Sequence, residues 1–129
     1  MESRQLPCQR IERVLGRTAL LLEWEKLGSD YSVRLTGGRA HVGAVALGSF
    51  DSISGRASSS VITAPGHRED ELALKGARQL SEASRSTTVF IVGIHVDSIT
   101  KREIDEIVHV SEGMIDELSD ILREDKKWK

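Results

Sequence analysis

The sequence contains few of the residues on which specialised small folds depend. Its single cysteine, Cys8, excludes an internal disulfide. Aromatic residues make up only 4% of the chain, so the core must consist mainly of valine, isoleucine, leucine and alanine. A chain of 129 residues suits one domain, and it is long enough to bury such a core without a disulfide or a structural metal.

The charge is also small and evenly mixed. Lysine and arginine number 18 against 20 aspartates and glutamates, for a net charge of −2. This balance argues against a protein that binds DNA or RNA. No apolar run approaches the roughly 20 residues of a membrane helix, and Met1–Gln9 lacks the apolar core of a secretory signal. We therefore expect a cytoplasmic protein that binds neither nucleic acid nor membranes.

Hydrophobic periodicity predicts the secondary structure. Five segments are typical of strands: 18–26, 31–36, 41–47, 58–64 and 87–96. The first two are predicted to form an antiparallel hairpin, and the last is apolar on both faces, as in a central strand. Helical apolar stripes predict helices over 67–85 and from Thr100 onward. Thr100 and Glu103 have the spacing of a capping box.

The element order β-β-β-β-α-β-α predicts an α+β domain, with a mainly antiparallel sheet packed on helices. This domain spans 11–123, between a flexible N-terminal arm (1–10) and a charged C-terminal tail (124–129). Residues 48–56 are rich in turn formers and are predicted to be a loop, with a lid as one role. No Gly-x-Gly-x-x-Gly follows a strand and no P-loop motif occurs, so a Rossmann or P-loop nucleotide site is excluded.

Three of the four histidines lie among small residues, inside or at the end of predicted strands. They are His41 in Gly37-Gly38-Arg39-Ala40-His41-Val42-Gly43, His67 after Ala64-Pro65-Gly66, and His95 in Gly93-Ile94-His95-Val96-Asp97. Glycine permits sharp turns and close approach, and histidine is easily switched near neutral pH. The pattern predicts a polar site at one edge of the sheet.

Each segment has a structural and a functional interpretation. Gly37 and Gly38 either make an ordinary turn or present amides to an anion, and Gly43 leaves room for a flat ligand beside His41. The helix start at 66–67 is either capped locally or contacts a phosphate. His95 and Asp97 are two residues apart on a strand and share a face, so we expect Asp97 to orient His95.

Enzymatic alternatives have weaker support. The three histidines and Asp97 are acceptable zinc ligands, but their spacing matches no zinc motif. A Gly-x-Ser-x-Gly elbow is also missing. We assign no catalytic residue and no metal ligand. Two alternatives stay open: a small histidine-based hydrolase or isomerase, with or without a metal, and a protein-assembly module without a ligand.

The three segments, in this order, resemble the prenylated-flavin chaperone family, whose LpdD-like small subunits are associated with gallate and hydroxyarylic acid decarboxylases. The resemblance runs from about Gly28 to Ile107. It implies a non-catalytic homodimer with a fold similar to proteasome assembly chaperones. Such a protein binds reduced prenylated FMN and delivers it to a UbiD-type decarboxylase, and a flavin prenyltransferase is a further candidate partner.

The resemblance also implies which residues bind the cofactor. In this sequence they are Gly37, Gly38, His41, Gly43, Gly66, His67, His95 and Asp97. The phosphate would lie at the turn formed by Gly37 and Gly38 or at the helix start near Gly66.

Overall fold

The computed structural model describes residues 8–64 and 69–127. Its elements are, in chain order, β1 (Gln9–Leu15), β2 (Thr18–Leu27), β3 (Asp30–Gly38), β4 (Ala44–Asp51), β5 (Arg56–Thr63), α1 (Asp70–Ser84), β6 (Thr88–His95) and α2 (Lys101–Lys127). One strand, β1, precedes those that the sequence predicted.

The six strands form one sheet in the order β1-β2-β3-β6-β4-β5. β2 and β3 make the predicted antiparallel hairpin. β6 is central, as predicted, and pairs parallel with β3 and antiparallel with β4. The predicted α+β class, with a mainly antiparallel sheet packed on helices, is confirmed. Within the described ranges, no helix is both long and apolar enough to cross a membrane.

Both helices cover the same face of the sheet. α1 contacts β4, β5 and β6, whereas α2 contacts α1, β1 and β2. The strand residues on this face are buried; they include Leu20, Leu22, Val33, Leu35, Phe90 and Val92. Alternate residues on the other side are partly or largely exposed: Val45, Leu47, Ile62, Val89 and Ile91. We call this uncovered side the open face.

β1 lies partly in the segment predicted to be a flexible arm, because Gln9 and Arg10 are strand residues. Ile11 is the only buried residue of β1, so the strand shows almost no apolar alternation. Its conformation depends on backbone pairing with β2 along its whole length. At the other end of the chain, α2 continues through Lys127, into the predicted tail.

The prediction of a loop over 48–56 is wrong. β4 continues to Asp51 and β5 begins at Arg56, so only the turn at 52–55 lies outside strands. Glycine is common in turns, which is why the sequence predicted a loop at Gly48. In the fold, however, a Cβ at residue 48 would overlap the backbone of Ala77 in α1. The glycine therefore lets a helix approach the strand closely. The predicted third strand also begins later, at Ala44 instead of residue 41.

Candidate functional site

The chain crosses the end of β6 as it passes from β3 to β4. Because β6 lies between those two strands, residues 39–43, here called the crossover segment, must pass over its carboxyl end. The Arg39 N–H donates to the carbonyl of His95 (2.9 Å), and the Gly43 N–H donates to the carbonyl of Val92 (3.0 Å). Both ends of the crossover segment are thus fixed to β6.

Gly93 permits this close passage. A Cβ atom at residue 93 would overlap the backbone carbonyl of His41. Only glycine lets a second backbone come so near. Consequently His41 lies beside the strand that carries His95, and their rings meet edge to face with centroids 6.2 Å apart. Two of the three predicted histidines are therefore brought together.

His95 and Asp97 form the predicted pair. Nε2 of His95 lies 3.0 Å from Oδ1 of Asp97, and Nη2 of Arg39 donates to the same oxygen at 2.6 Å. The hydrogen bond with His95, followed by the positive charge of Arg39, holds the pKa of Asp97 below its usual range. Asp97 is therefore a carboxylate that accepts from both neighbours at neutral pH.

His41 is the more sheltered of the two histidines. Its side chain is 23% exposed, and that of Glu69, just before α1, is 14% exposed; Arg39 and Asp97 are each 72% exposed. Nδ1 of His41 lies 3.2 Å from the carbonyl oxygen of Arg39, which favours a proton on Nδ1. Nε2 lies 3.5 Å from Oε1 of Glu69, and this contact is an ion pair only when the imidazole is protonated.

Arg17 supports the turn that carries Asp97. It lies between β1 and β2, and its guanidinium donates to the Asp97 carbonyl (2.8 Å) and to both carboxylate oxygens of Glu103 (2.8 and 3.0 Å). Glu103 also accepts from the Thr100 N–H, while the Thr100 hydroxyl accepts from the Glu103 N–H, each at 3.1 Å. This reciprocal pair confirms the predicted capping box.

We expect the Glu103 contacts to make the free energy of unfolding fall as the pH is lowered. Hydrogen bonds from Arg17 and Thr100 lower the pKa of Glu103 from 4.5 to about 2. The pKa of Glu103 is lower in the folded than in the unfolded state. Its contribution to the free energy of unfolding is therefore complete above about pH 5 and is lost as the pH falls toward 2. Glu103→Gln should therefore flatten the fall in free energy of unfolding over that range, as measured by urea denaturation at each pH.

The matched control is Glu112→Gln, an exposed substitution of the same kind on α2. It should keep the acid dependence of the wild type. Identical pH profiles for Glu103→Gln and the wild type would contradict the assigned role of Glu103.

The remaining predicted residues lie in different settings. Gly37 and Gly38 belong to β3 and pair with β6, and Gly37 packs against Leu20 and Ile94, so they do not form a separate turn. Their role toward an anion stays a prediction. Beside Gly43, where room for a flat ligand was expected, the carboxylate of Glu69 fills the space. The predicted residues Gly66 and His67 lie outside the described residues.

Three contributing residues were not predicted from the sequence. Arg39 lies in the segment of small residues around His41, and its position two residues before that histidine could have indicated that it belongs to the site. Glu69 was interpreted only as a charge at a helix start. Arg17 left no local signal at all, because its partner Glu103 lies 86 residues away in the chain.

The site combines one guanidinium, two imidazoles and two carboxylates at the end of a sheet. These groups can bind a ligand that has an anionic group and a polar ring. Over residues 8–64 and 69–127, no group of three histidine, cysteine, aspartate or glutamate side chains is arranged to hold a metal ion.

Comparisons with known proteins bear on the family and on the fold. Residues 15–123 match the family model of the prenylated flavin chaperone LpdD-like domain. A solved structure titled "Crystal Structure of a Novel Chaperone Complex for Yeast 20S Proteasome Assembly" is 12% identical, with 89% of this chain and 98% of that chain covered and a TM-score of 0.57. That likeness concerns the fold alone, and it agrees with the fold that the family resemblance implies. No curated protein matches the chain.

Proposed function

Because the chain belongs to the prenylated flavin chaperone LpdD-like family, we propose that it binds reduced prenylated FMN and delivers it to a UbiD-type decarboxylase. The binding site is the one formed by His41 and His95. The observation that carries the proposal is the contact series from Arg39 through Asp97 to His95, beside His41. A flavin prenyltransferase, which would make the cofactor, is the proposed donor.

The hydrogen-bonding groups of the site suit a flavin mononucleotide. Arg39 can hold the phosphate, because its side chain is 72% exposed and its hydrogen bond to Asp97 uses only Nη2. The imidazoles of His41 and His95 can donate to or accept from the ring heteroatoms. Glu69 would repel a phosphate placed at His41, which favours the exposed guanidinium of Arg39 as the phosphate's partner.

The openness of the site suits a carrier. His95 is 46% exposed and Asp97 is 72% exposed. A ligand held there keeps one side in contact with solvent and can pass to a second protein. Once in the decarboxylase, the prenylated flavin supplies the covalent chemistry. The chaperone itself has only to bind, orient and release the cofactor, so the proposal includes no catalytic residue.

We further propose that two copies associate through the open face. Six strands about 4.8 Å apart and about 8 residues long give a face of roughly 750 Å². That area is close to the roughly 800 Å² that each partner buries in a standard interface. Leu47 and Ile62 are 52% and 80% exposed on this face. Strand alternation places His95 on the same side, so the interface would continue to the cofactor site.

Anaerobic titration with reduced prenylated FMN, followed by calorimetry, tests cofactor binding. We expect saturable binding, and we expect His95→Ala to weaken it by about tenfold or more, because one lost polar contact to a charged ligand is worth about 1.5 kcal/mol. His109→Ala is the matched control, since His109 is exposed on α2. If the folded protein does not bind, or if both variants bind alike, the proposal is wrong.

A second variant examines the phosphate contact. Arg39→Gln should weaken binding of the phosphorylated cofactor much more than binding of its dephosphorylated analogue. An equal loss for both ligands would show that Arg39 acts only on the shape of the site.

A further inference from the structure

The two edges of the sheet differ in how they are protected. β1 forms one edge and carries Arg10, Glu12 and Arg13. β5 forms the other edge; it carries one charge, on its first residue Arg56, and 57–64 contains no charged residue and no proline. Edge strands usually carry charges or prolines that prevent unwanted pairing. Beyond Arg56, the β5 edge therefore offers a row of backbone donors and acceptors that no charged side chain or proline protects.

β5 is held in place for such pairing. The Ser59 hydroxyl donates to the carbonyl of Leu74 in α1 at 2.7 Å, which ties the strand to the helix above it. Within the described part of the chain, β4 is the only strand that pairs with β5. The edge is therefore tied to α1, and no strand among the described residues pairs with its outer side.

A positively charged groove runs beside this edge. It has a volume of about 470 Å³ and is lined by Ala57, Ser58, Ser59, Leu74, Lys75 and Arg78. Both cations are exposed. Lys75 contacts Glu71 at 3.2 Å in a surface pair of small energy, and Arg78 makes no ion pair with any described residue.

We propose that β5 is a docking strand, to which an extended segment of a partner protein with acidic side chains adds in the manner of β-augmentation. Alternate side chains of the added strand would point toward the groove, where carboxylates meet Lys75 and Arg78. The inference rests on the proposed function only in identifying the partner as the acceptor decarboxylase.

A second copy of this chain fits the edge less well. In a two-fold pair of β5 strands, the Lys75 and Arg78 of one subunit would lie near those of the other on the same side of the joined sheet. Like charges at such a junction disfavour the pairing. An acidic strand neutralises the same cations.

The test uses a capped, fluorescein-labelled peptide of alternating glutamate and valine, added to the full chain without flavin and followed by anisotropy. We expect saturable binding that the double variant Lys75→Glu and Arg78→Glu weakens by about tenfold or more. Arg10→Glu, on the opposite edge, is the matched control and should bind as the wild type does. A peptide with lysine in place of glutamate should not bind.

Amide chemical shifts locate the peptide. Changes confined to 57–63 and to the Lys75 and Arg78 region support the proposal. Absence of peptide binding up to about 1 mM, equal binding by all variants, or shift changes elsewhere would overturn it. A peptide-free oligomer that Ser60→Pro dissociates would show that a second copy occupies the edge. Since flavin is absent, failure here leaves the cofactor proposal standing.

Discussion

Gly93→Ala is expected to lower the free energy of unfolding by about 3 kcal/mol and to abolish flavin binding. The added methyl group would overlap the backbone of His41. Because β6 is paired on both sides, it cannot move away, and the crossover segment must shift instead. That shift breaks the hydrogen bonds from Arg39 and Gly43 to β6 and displaces His41 from the site.

Urea denaturation and the anaerobic flavin titration measure the two effects together. Gly113→Ala is the matched control, because Gly113 lies within α2 and a Cβ there meets nothing within 4 Å. Helix propensity predicts that this control gains up to about 1 kcal/mol and binds flavin normally. If Gly93→Ala is as stable as Gly113→Ala and binds flavin equally well, the close passage does not hold the site together.

Leu47→Glu is expected to separate the proposed dimer, with a dissociation constant at least about 100-fold higher than that of the wild type. Leu47 is 52% exposed in a single chain, so the variant should fold normally. In a two-fold interface the new carboxylate would be buried twice, at a cost of several kcal/mol. Sedimentation velocity across a range of protein concentrations measures the change.

Val108→Glu serves as the control for Leu47→Glu. Val108 is 41% exposed and lies on α2, away from the open face. This variant should keep the oligomeric state of the wild type. A wild-type chain that is monomeric at micromolar concentration, or a Leu47→Glu variant that stays dimeric, would exclude the open face as the interface.

The sequence predicted those parts of the fold in which residues close together in the chain form a clear hydrophobic or capping pattern. Alternation from Leu20 to Trp24 and from Tyr31 to Leu35 predicted β2 and β3, and the apolar 87–96 segment predicted a central strand. The capping box at Thr100 is equally local, since two side chains three residues apart satisfy each other. The spacing of two residues on a strand likewise predicted the contact between His95 and Asp97, because such residues share a face.

The errors have a common physical cause. β1 has one buried side chain and gains its conformation from backbone pairing with β2, which leaves no mark on hydrophobic periodicity. Gly48 is a strand residue that pairs with Ser59 and Thr88, and α1 packs directly on it. In both cases, a contact with a distant part of the chain overrides the local preference of the sequence.

By itself, the sequence determined the α+β class and the order of most elements, and it predicted a polar site that includes His41, His95 and Asp97. Only the tertiary structure decided that β6 enters between β3 and β4, which forces the crossover segment over Gly93 and places Arg39 on Asp97. It also decided the contribution of Glu69 and the support from Arg17. Periodicity records which side of an element is buried, whereas strand order and long-range ion pairs depend on contacts between residues far apart in the chain.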